Sequence, residues 1–543
     1  MKKTIFKAVI LLLAAVLTVG VAIGVCACDR NKNAYKVTFD LVVNSDNTAH
    51  VRYAELIKSN LADIGIGVNI ITKDTSAFRA ATTNGFSNKN VTHQACITGY
   101  TSAGMGMLGG IGSIYFDDNH VMQGVSQVFD NEFSEILSAL STAATPDEYA
   151  AAAKRCQEYY AANVPAVALL WDSQLQAVSS DFSGFVYDAD WGILNTATWL
   201  SVRSESSARN FRVGTVTPVE NADRSDYNYN VMSASFTQLS LVSRIISEDG
   251  NAFVPLLADY STADSVSWTF TIRDGMTWSD GVSVTGEDVK FTFEYLDEYE
   301  GRNWLRDQTN KDGTVAKRLL RSVDVSEDGR SVTLVYETAN PRALSYLSNI
   351  RIMPAHVYEG KTIETATPEE NRIGCGVYKF SSFDKNKGTI TFVPNPYFPV
   401  TEGAHIFDTV TVNLMGNTDT MYLKLKNGEL DTVYKYSGGV DPSVAQTLEH
   451  SGNIDIIANA TDNLPAVLAF NTSKAPFDNV NLRFAVAYAI DYAKFRELFA
   501  SQYASPTHAG FAPPATIGYY DNTPVLARDV ETAKKYLALA LGK

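Results

Sequence analysis

Residues 37 to 71 constrain the fold more than any other stretch. Val37 to Val43 is an apolar, β-branched run and reads as a strand. Val51 to Ile64 carries Tyr53, Leu56, Ile57, Leu61 and Ile64 at helical spacing, and Gly65 stands just past its end, a common helix stop. Val68 to Ile71 reads as a second strand. Strand, helix, strand in that order is a βαβ unit, so this part of the chain builds an α/β lobe. That lobe cannot be the whole molecule. The chain has 543 residues, and single hydrophobic cores stop growing near ~250–300 residues. Two or more lobes are expected.

Hydrophobic residues make up 45% and charged residues 19%, the balance of a folded soluble chain. The net charge of -15 either keeps the protein soluble or mildly favours cationic solutes. No basic run follows the first few residues, so the clustered Lys and Arg that a phosphate backbone needs are missing and nucleic acid is not a partner. Cys96, Cys156 and Cys375 fit neither a disulfide framework nor a metal site, and are expected as buried free thiols. His50, His93, His356, His405, His450 and His508 show no metal spacing. No resident metal or cofactor is expected.

The first residues carry a different signal. Lys2, Lys3 and Lys7 precede an apolar run from Ala8 to Val25, the layout of an export signal. The run is also long enough to span a membrane uncleaved. Val25-Cys26-Ala27-Cys28 resembles the bacterial lipobox, and Cys28, preceded by the small Ala27, is the expected lipidation site. This reading gives a signal peptide over 1–28 and a polar tether over 29–35. Either way, the rest of the chain lies outside the cytoplasm and is moored to the membrane.

Farther on, Glu132 to Leu140 and Pro146 to Ala162 read as helices and Val164 to Trp171 as a strand. Ser201 to Asn210 is polar and aperiodic, a linker candidate. A strand-rich stretch follows. Asn481 to Phe499 reads as one amphipathic helix, and Val530 to Leu541 as another.

Phe253 to Leu296 (FVPLLADYSTADSVSWTFTIRDGMTWSDGVSVTGEDVKFTFEYL) closely resembles the signature of family 5 extracytoplasmic solute-binding proteins, the peptide- and nickel-binding components of ABC importers. IGCGVYKF (Ile373 to Phe380), LKNGELD (Leu425 to Asp431), LAFNTSKAPFDNVNLRFAVAYAID (Leu468 to Asp491) and FAPPATIGYYD (Phe511 to Asp521) agree with it. The resemblance implies an α/β, two-lobed, type II periplasmic-binding-protein-like fold with an extra strand-rich subdomain. It also implies a solute held between the lobes and an ABC permease as partner. A monomer is expected.

Residues 36 to 200 resemble the same family's C-terminal part. VPAVALLWDSQLQAVSSDFSGFV (Val164 to Val186) is similar to the strand and loop near the usual end of the family chain. The order therefore looks circularly permuted, with Lys543 and Lys36 flanking the family's ordinary mid-chain junction. Lobe II would comprise 36–172 and 463–543. Residues 173–200 would return to lobe I, 201–210 would link, and 211–462 would complete lobe I with its subdomain at about 240–350. A rearrangement that fuses half of one copy to half of another is the alternative.

By resemblance, Tyr229 and Met232 follow the first strand of lobe I where nickel-type members contact ligand. Trp304 matches an aromatic position, and Arg351 matches an arginine that holds a carboxylate. The planar fork of Arg suits that role. In lobe II, Thr98 to Ser113 takes the place of an acid-bearing peptide motif. Tyr100 keeps its aromatic position but the acids are missing, which leans away from a peptide held by its amino group. Gly104, Gly106 and Gly109 form a literal GxGxxG without the rest of a dinucleotide fingerprint. His120 lies near a histidine position of nickel-type members. Each of these residues has a plain structural alternative, as a packing residue or an ordinary ion pair. No HExxH, GxSxG or P-loop is present, so an enzyme is not expected. The rival function is a ligand sensor built on the same fold.

Overall fold

The computed structural model describes residues 35–82, 91–100, 125–189, 191–247, 250–300, 304–305, 308–309, 315–316, 319–400, 407–434, 439–461 and 464–543. The signal, Cys28, the glycines at 104, 106 and 109, and His120 lie outside them. Of Tyr100, only the backbone is described.

The βαβ unit forms as its pattern dictates. Strand Val37–Asn44 pairs in parallel with Ile66–Lys73, and helix Thr48–Ala62 packs His50, Tyr53, Ile57 and Leu61 inward. Asn47 caps the helix by accepting the His50 N–H at 3.1 Å. Gly65 turns the chain with φ +82°, a conformation that glycine adopts without strain. The sheet of this lobe runs Ile66–Lys73, Val37–Asn44, Ala95–Tyr100, Leu464–Phe470, Ala166–Leu170. Leu464–Phe470 is antiparallel to both of its neighbours. A strand from late in the chain thus sits between two early ones. Phe477 seals the seam, with its ring 4.7 Å from that of Phe39 and 4.7 Å from that of Phe470. Val37 and Leu541, near opposite ends of the chain, pack against this same core.

The other lobe has a seven-stranded sheet in the order Tyr378–Asp384, Thr389–Pro394, Thr409–Leu414, Asn210–Thr215, Thr432–Tyr434, Ser173–Ser179, Ile454–Ala460. The chain crosses from lobe II into lobe I at Trp171 and Asp172, and returns between Ala460 and Leu464. Lobe I is therefore one continuous stretch, and lobe II is made from what lies on either side of it. A four-stranded sheet, Ala258–Thr262, Ser267–Ile272, Ser331–Tyr336, Leu320–Val325, forms the subdomain. Its core is closed by Trp278, Phe270 and Phe293, all fully buried.

Two local expectations change. The stretch read as one helix from Asn481 to Phe499 is two, Val480–Ala489 and Tyr492–Phe499. Asp491 breaks it. Its side chain caps the second helix at the Lys494 N–H (2.9 Å), and its own N–H donates to Asn60 Oδ1 (2.9 Å) instead of continuing the first. The polar stretch at 201–210 is held in place. The Asp181 carboxylate accepts from Ser204 Oγ (2.8 Å) and from the Ser206 N–H (2.7 Å) and Oγ (2.6 Å). Serines that read as linker are there to satisfy one carboxylate. Cys96, Cys156 and Cys375 are free and buried, as expected.

Candidate functional site

The two lobes face each other beside the crossing at Trp171 and Asp172. On the lobe I side a tight turn presents Trp191. Asp188 and Gly192 exchange backbone hydrogen bonds at 3.1 and 2.8 Å, and Asp188 Oδ1 accepts the Trp191 N–H at 3.0 Å. Ser243 Oγ donates to Asp188 Oδ2, and the Ala189 N–H donates to the Arg244 carbonyl at 2.8 Å. Gly192 has φ +68°, a conformation that favours glycine, and a Cβ there would push the Gln176 amide aside. The Arg351 guanidinium lies 3.8 Å from the centre of the Trp191 ring, within cation–π range. The indole Nε1 of Trp191 is buried without a hydrogen-bond partner among the described residues.

The lobe II side is the long segment 504–529. Ser505 pairs with Trp171 across an antiparallel bridge. The His508 ring stacks on Trp171 at 5.1 Å, and Trp171 Nε1 donates to the Phe511 carbonyl at 3.3 Å. Gln157 clamps the far end, donating to the Gly518 carbonyl (2.9 Å) and accepting the Tyr520 N–H (3.0 Å). Thr507 Oγ1, Thr516 Oγ1 and His508 Nδ1 are buried without a hydrogen-bond partner among the described residues. Burial depresses the pKa of His508, with Asp521 opposing, which favours the neutral ring.

Two arginines of lobe I touch lobe II directly. Arg244, 1% exposed, donates to the Ala515 carbonyl at 3.1 Å. Arg342 lies over the Tyr149 ring at 5.2 Å. The two sides therefore carry guanidinium groups and, separately, an indole N–H and two threonine hydroxyls without a hydrogen-bond partner among the described residues. Buried polar groups are nearly always paired, so such a set marks a place where a polar guest or ordered water completes the bonding.

Burial pushes the Cys375 thiol up to about 12, and those of Cys96 and Cys156 higher still. All three are inert as nucleophiles. Among the described residues no group of three or more His, Cys, Asp or Glu could hold a metal.

The residues singled out from the sequence fall in different places. Arg351 lies in lobe I against the Trp191 ring. Tyr229 (2% exposed) and Met232 (1%) lie in the core of lobe I, where Tyr229 stacks on Phe392 at 6.3 Å. Trp304 is in the subdomain core, edge-on to Phe293 at 5.3 Å. Strand Ala95–Tyr100 brings the Tyr100 backbone opposite Leu464 in the lobe II sheet. Sequence reading missed Trp191, Arg244, Thr507 and Thr516. One signal was available for Arg244, the lone charge in strand Val242–Ser247.

A family model for bacterial extracellular solute-binding proteins, family 5, middle region, matches residues 252–542. That is more than half of the chain. The chain belongs to family 5 of the bacterial extracellular solute-binding proteins. Within this family 5 likeness, the oligopeptide-binding protein OppA of Bacillus subtilis is 25% identical over 323 residues, covering 54% of this chain and 55% of the relative. The probable D,D-dipeptide-binding periplasmic protein DdpA of Escherichia coli is 27% identical over 229 residues, covering 42% of each. Heme-binding protein A of Haemophilus influenzae is 27% identical, covering 51% of each. The chain thus spans about half the length of the curated relatives it matches. Among solved structures, the periplasmic oligopeptide-binding protein of Thermotoga maritima aligns with TM-score 0.45 and 22% identity, covering 61% of this chain and 62% of that one.

Proposed function

We propose that this family 5 chain captures a small solute between its lobes outside the cytoplasm and hands it to an ABC permease. The observation that carries the reading is the junction itself. Arg351 sits on its Trp191 platform in lobe I, Arg244 of lobe I bonds the Ala515 carbonyl of lobe II, and the segment around Ala515 holds unpartnered Thr516, Thr507 and His508 atoms. A solute bonded to both sides would favour the closed arrangement, and closure is what a permease can read.

The solute class we infer is an oligopeptide or a metal chelate bearing a carboxylate. The fork of Arg351 is suited to that group. Tyr229, Met232, Trp304, Tyr100 and His120 stay in the proposal as residues carried over from the family pattern. Mooring through a lipid on Cys28 belongs to the same reading, as does the absence of enzymatic chemistry.

The permuted order is part of the proposal too. It is supported by the complete sheets, with Leu464–Phe470 filling the gap between Ala95–Tyr100 and Ala166–Leu170. It is supported as well by Val37 and Leu541 packing on one core. A sequential alignment to a chain of ordinary order would stop where the two orders diverge, in keeping with matches over about half of each relative.

The test is a thermal-shift screen of the chain from residue 29 onward against peptides, amino acids and nickel–histidine chelates. A solute at 100 times its Kd stabilises by about 2.7 kcal/mol. Arg351→Ala should weaken the responding solute by about tenfold or more. A solute whose affinity ignores Arg351→Ala would remove the junction from the reading.

A further inference from the structure

A second cavity lies on lobe I. It has a volume of about 340 Å³ and opens at the edge strand Tyr378–Asp384. Two neighbouring segments build it, and both are pinned. Asp226 fixes the loop at its wall, with Oδ2 accepting the N–H groups of Glu220 (2.7 Å) and Asn221 (3.0 Å). Arg372 ties the opposite wall to that loop through Nε, which donates to the Ala222 carbonyl at 2.8 Å. Its guanidinium then stacks on Phe380 at 4.2 Å, leaving its other nitrogens to the cavity and to Glu369 at 3.6 Å.

The charges inside are arranged, not mixed at random. Asp223 is 4% exposed. Its Oδ1 accepts the Ser225 N–H (2.8 Å) and Oγ (2.5 Å), and the residue lines the cavity. A carboxylate so little exposed to bulk water favours a cation or donor placed in the cavity. Across the cavity stand two cations on aromatic supports, Arg372 on Phe380 and Lys385 on Phe383 at 5.9 Å. An acid, two bases and two apolar rings in one cavity of ligand size match a zwitterion with an apolar side chain.

We propose that this cavity binds a free apolar amino acid. Its ammonium pairs with Asp223, its carboxylate with Arg372 and Lys385, and its side chain lies against Phe380 and Phe383. The site is separate from the interlobe junction and does not depend on the reading given to that junction.

The probe is L-phenylalanine, titrated by calorimetry into the chain from residue 29 onward. The expected result is saturable binding that needs both charges. 3-Phenylpropionate, lacking the ammonium, and phenethylamine, lacking the carboxylate, should each bind about tenfold more weakly or worse. Lys385→Ala and Asp223→Asn should cost a similar factor, while Arg351→Ala at the junction should leave the titration unchanged. Lys385 lies at the surface, so its variant tests the site even if Asp223→Asn unfolds the loop. No saturable binding, equal binding of 3-phenylpropionate, or indifference to Lys385→Ala would each overturn the proposal. So would loss of binding in Arg351→Ala, which would put the amino acid between the lobes.

Discussion

Lobe I and lobe II each build a central sheet, yet they are written into the chain in different ways. Every strand of the lobe I sheet comes from one continuous stretch that begins at Ser173 and ends at Ala460. The lobe II sheet needs Leu464–Phe470 between strands that precede residue 171. Its seam contacts, such as Phe39 on Phe477, join residues separated by the whole of lobe I. Bringing such ends together carries a loop-closure cost before any contact repays it. Lobe I can therefore complete its core by itself, whereas lobe II depends on lobe I having brought its two halves within reach.

The sharpest test divides the chain. A fragment of residues 173–460 should unfold cooperatively in urea, with the sheet signal of the intact protein. A fragment of residues 36–170 should show neither, because the strand that joins Ala95–Tyr100 to Ala166–Leu170 is missing. If the early fragment folded, or the lobe I fragment lacked a transition, the contrast would be wrong.

Within the intact protein, Phe477→Ala attacks the seam. Phe477 is fully buried against both halves of lobe II, so the loss should be about 3–5 kcal/mol. Phe270→Ala in the subdomain core should cost about as much, but by way of lobe I. Urea unfolding followed by hydrogen exchange should show the first variant lowering protection in lobe II strands and the second sparing them. A uniform loss over both lobes in either variant would mean that the lobes unfold as one unit.

The crossing between the lobes has its own signature. Burial raises the pKa of Asp172 to about 6, with Asp441 of lobe I adding to the shift. Tyr53 of lobe II feels the same charge and is itself pushed up to about 12, chiefly by burial. Between pH ~4 and ~6 the folded protein retains a proton that the unfolded chain has released. Stability should therefore fall as pH rises through that window and level off above it, by about 3 kcal/mol at most. Asp172→Asn should flatten the slope and raise stability at pH 7. An unchanged slope in that variant would assign the pH dependence to another group.

How much of this the sequence discloses depends on how local each cause is. The βαβ unit is legible because its alternation, helical spacing and Gly65 all lie within about forty residues. The break at Asp491 is hidden, because what ends the helix is Asn60, far away in the chain. The serines around 206 read as linker because their partner, Asp181, is brought to them by folding. The junction is the extreme case. Arg244 and Ala515 are 271 residues apart, and only the crossing at Trp171 and Asp172 makes them neighbours. Arg351 was found through a family pattern. Trp191 and Thr516 belong to no pattern that a single sequence exposes.

The smallest effect concerns how firmly the two lobes hold together. Arg342 of lobe I lies over Tyr149 of lobe II at 5.2 Å, and also near Tyr346 of its own lobe at 5.9 Å. A partly exposed cation–π contact is worth about 0.5–1 kcal/mol. Tyr149 also packs in the lobe II core, so a single substitution mixes the contact with core packing. A double-mutant cycle of Tyr149→Leu and Arg342→Met separates the two. If solute capture works by closure as proposed, the coupling should appear in solute affinity as a factor of about two to five. It should be absent from the urea stability of lobe I, where Arg342→Met removes the Tyr346 contact whether or not Tyr149 is replaced. A coupling near zero in affinity would mean that closure is carried by Arg244 and the solute, with Arg342 a bystander at the rim.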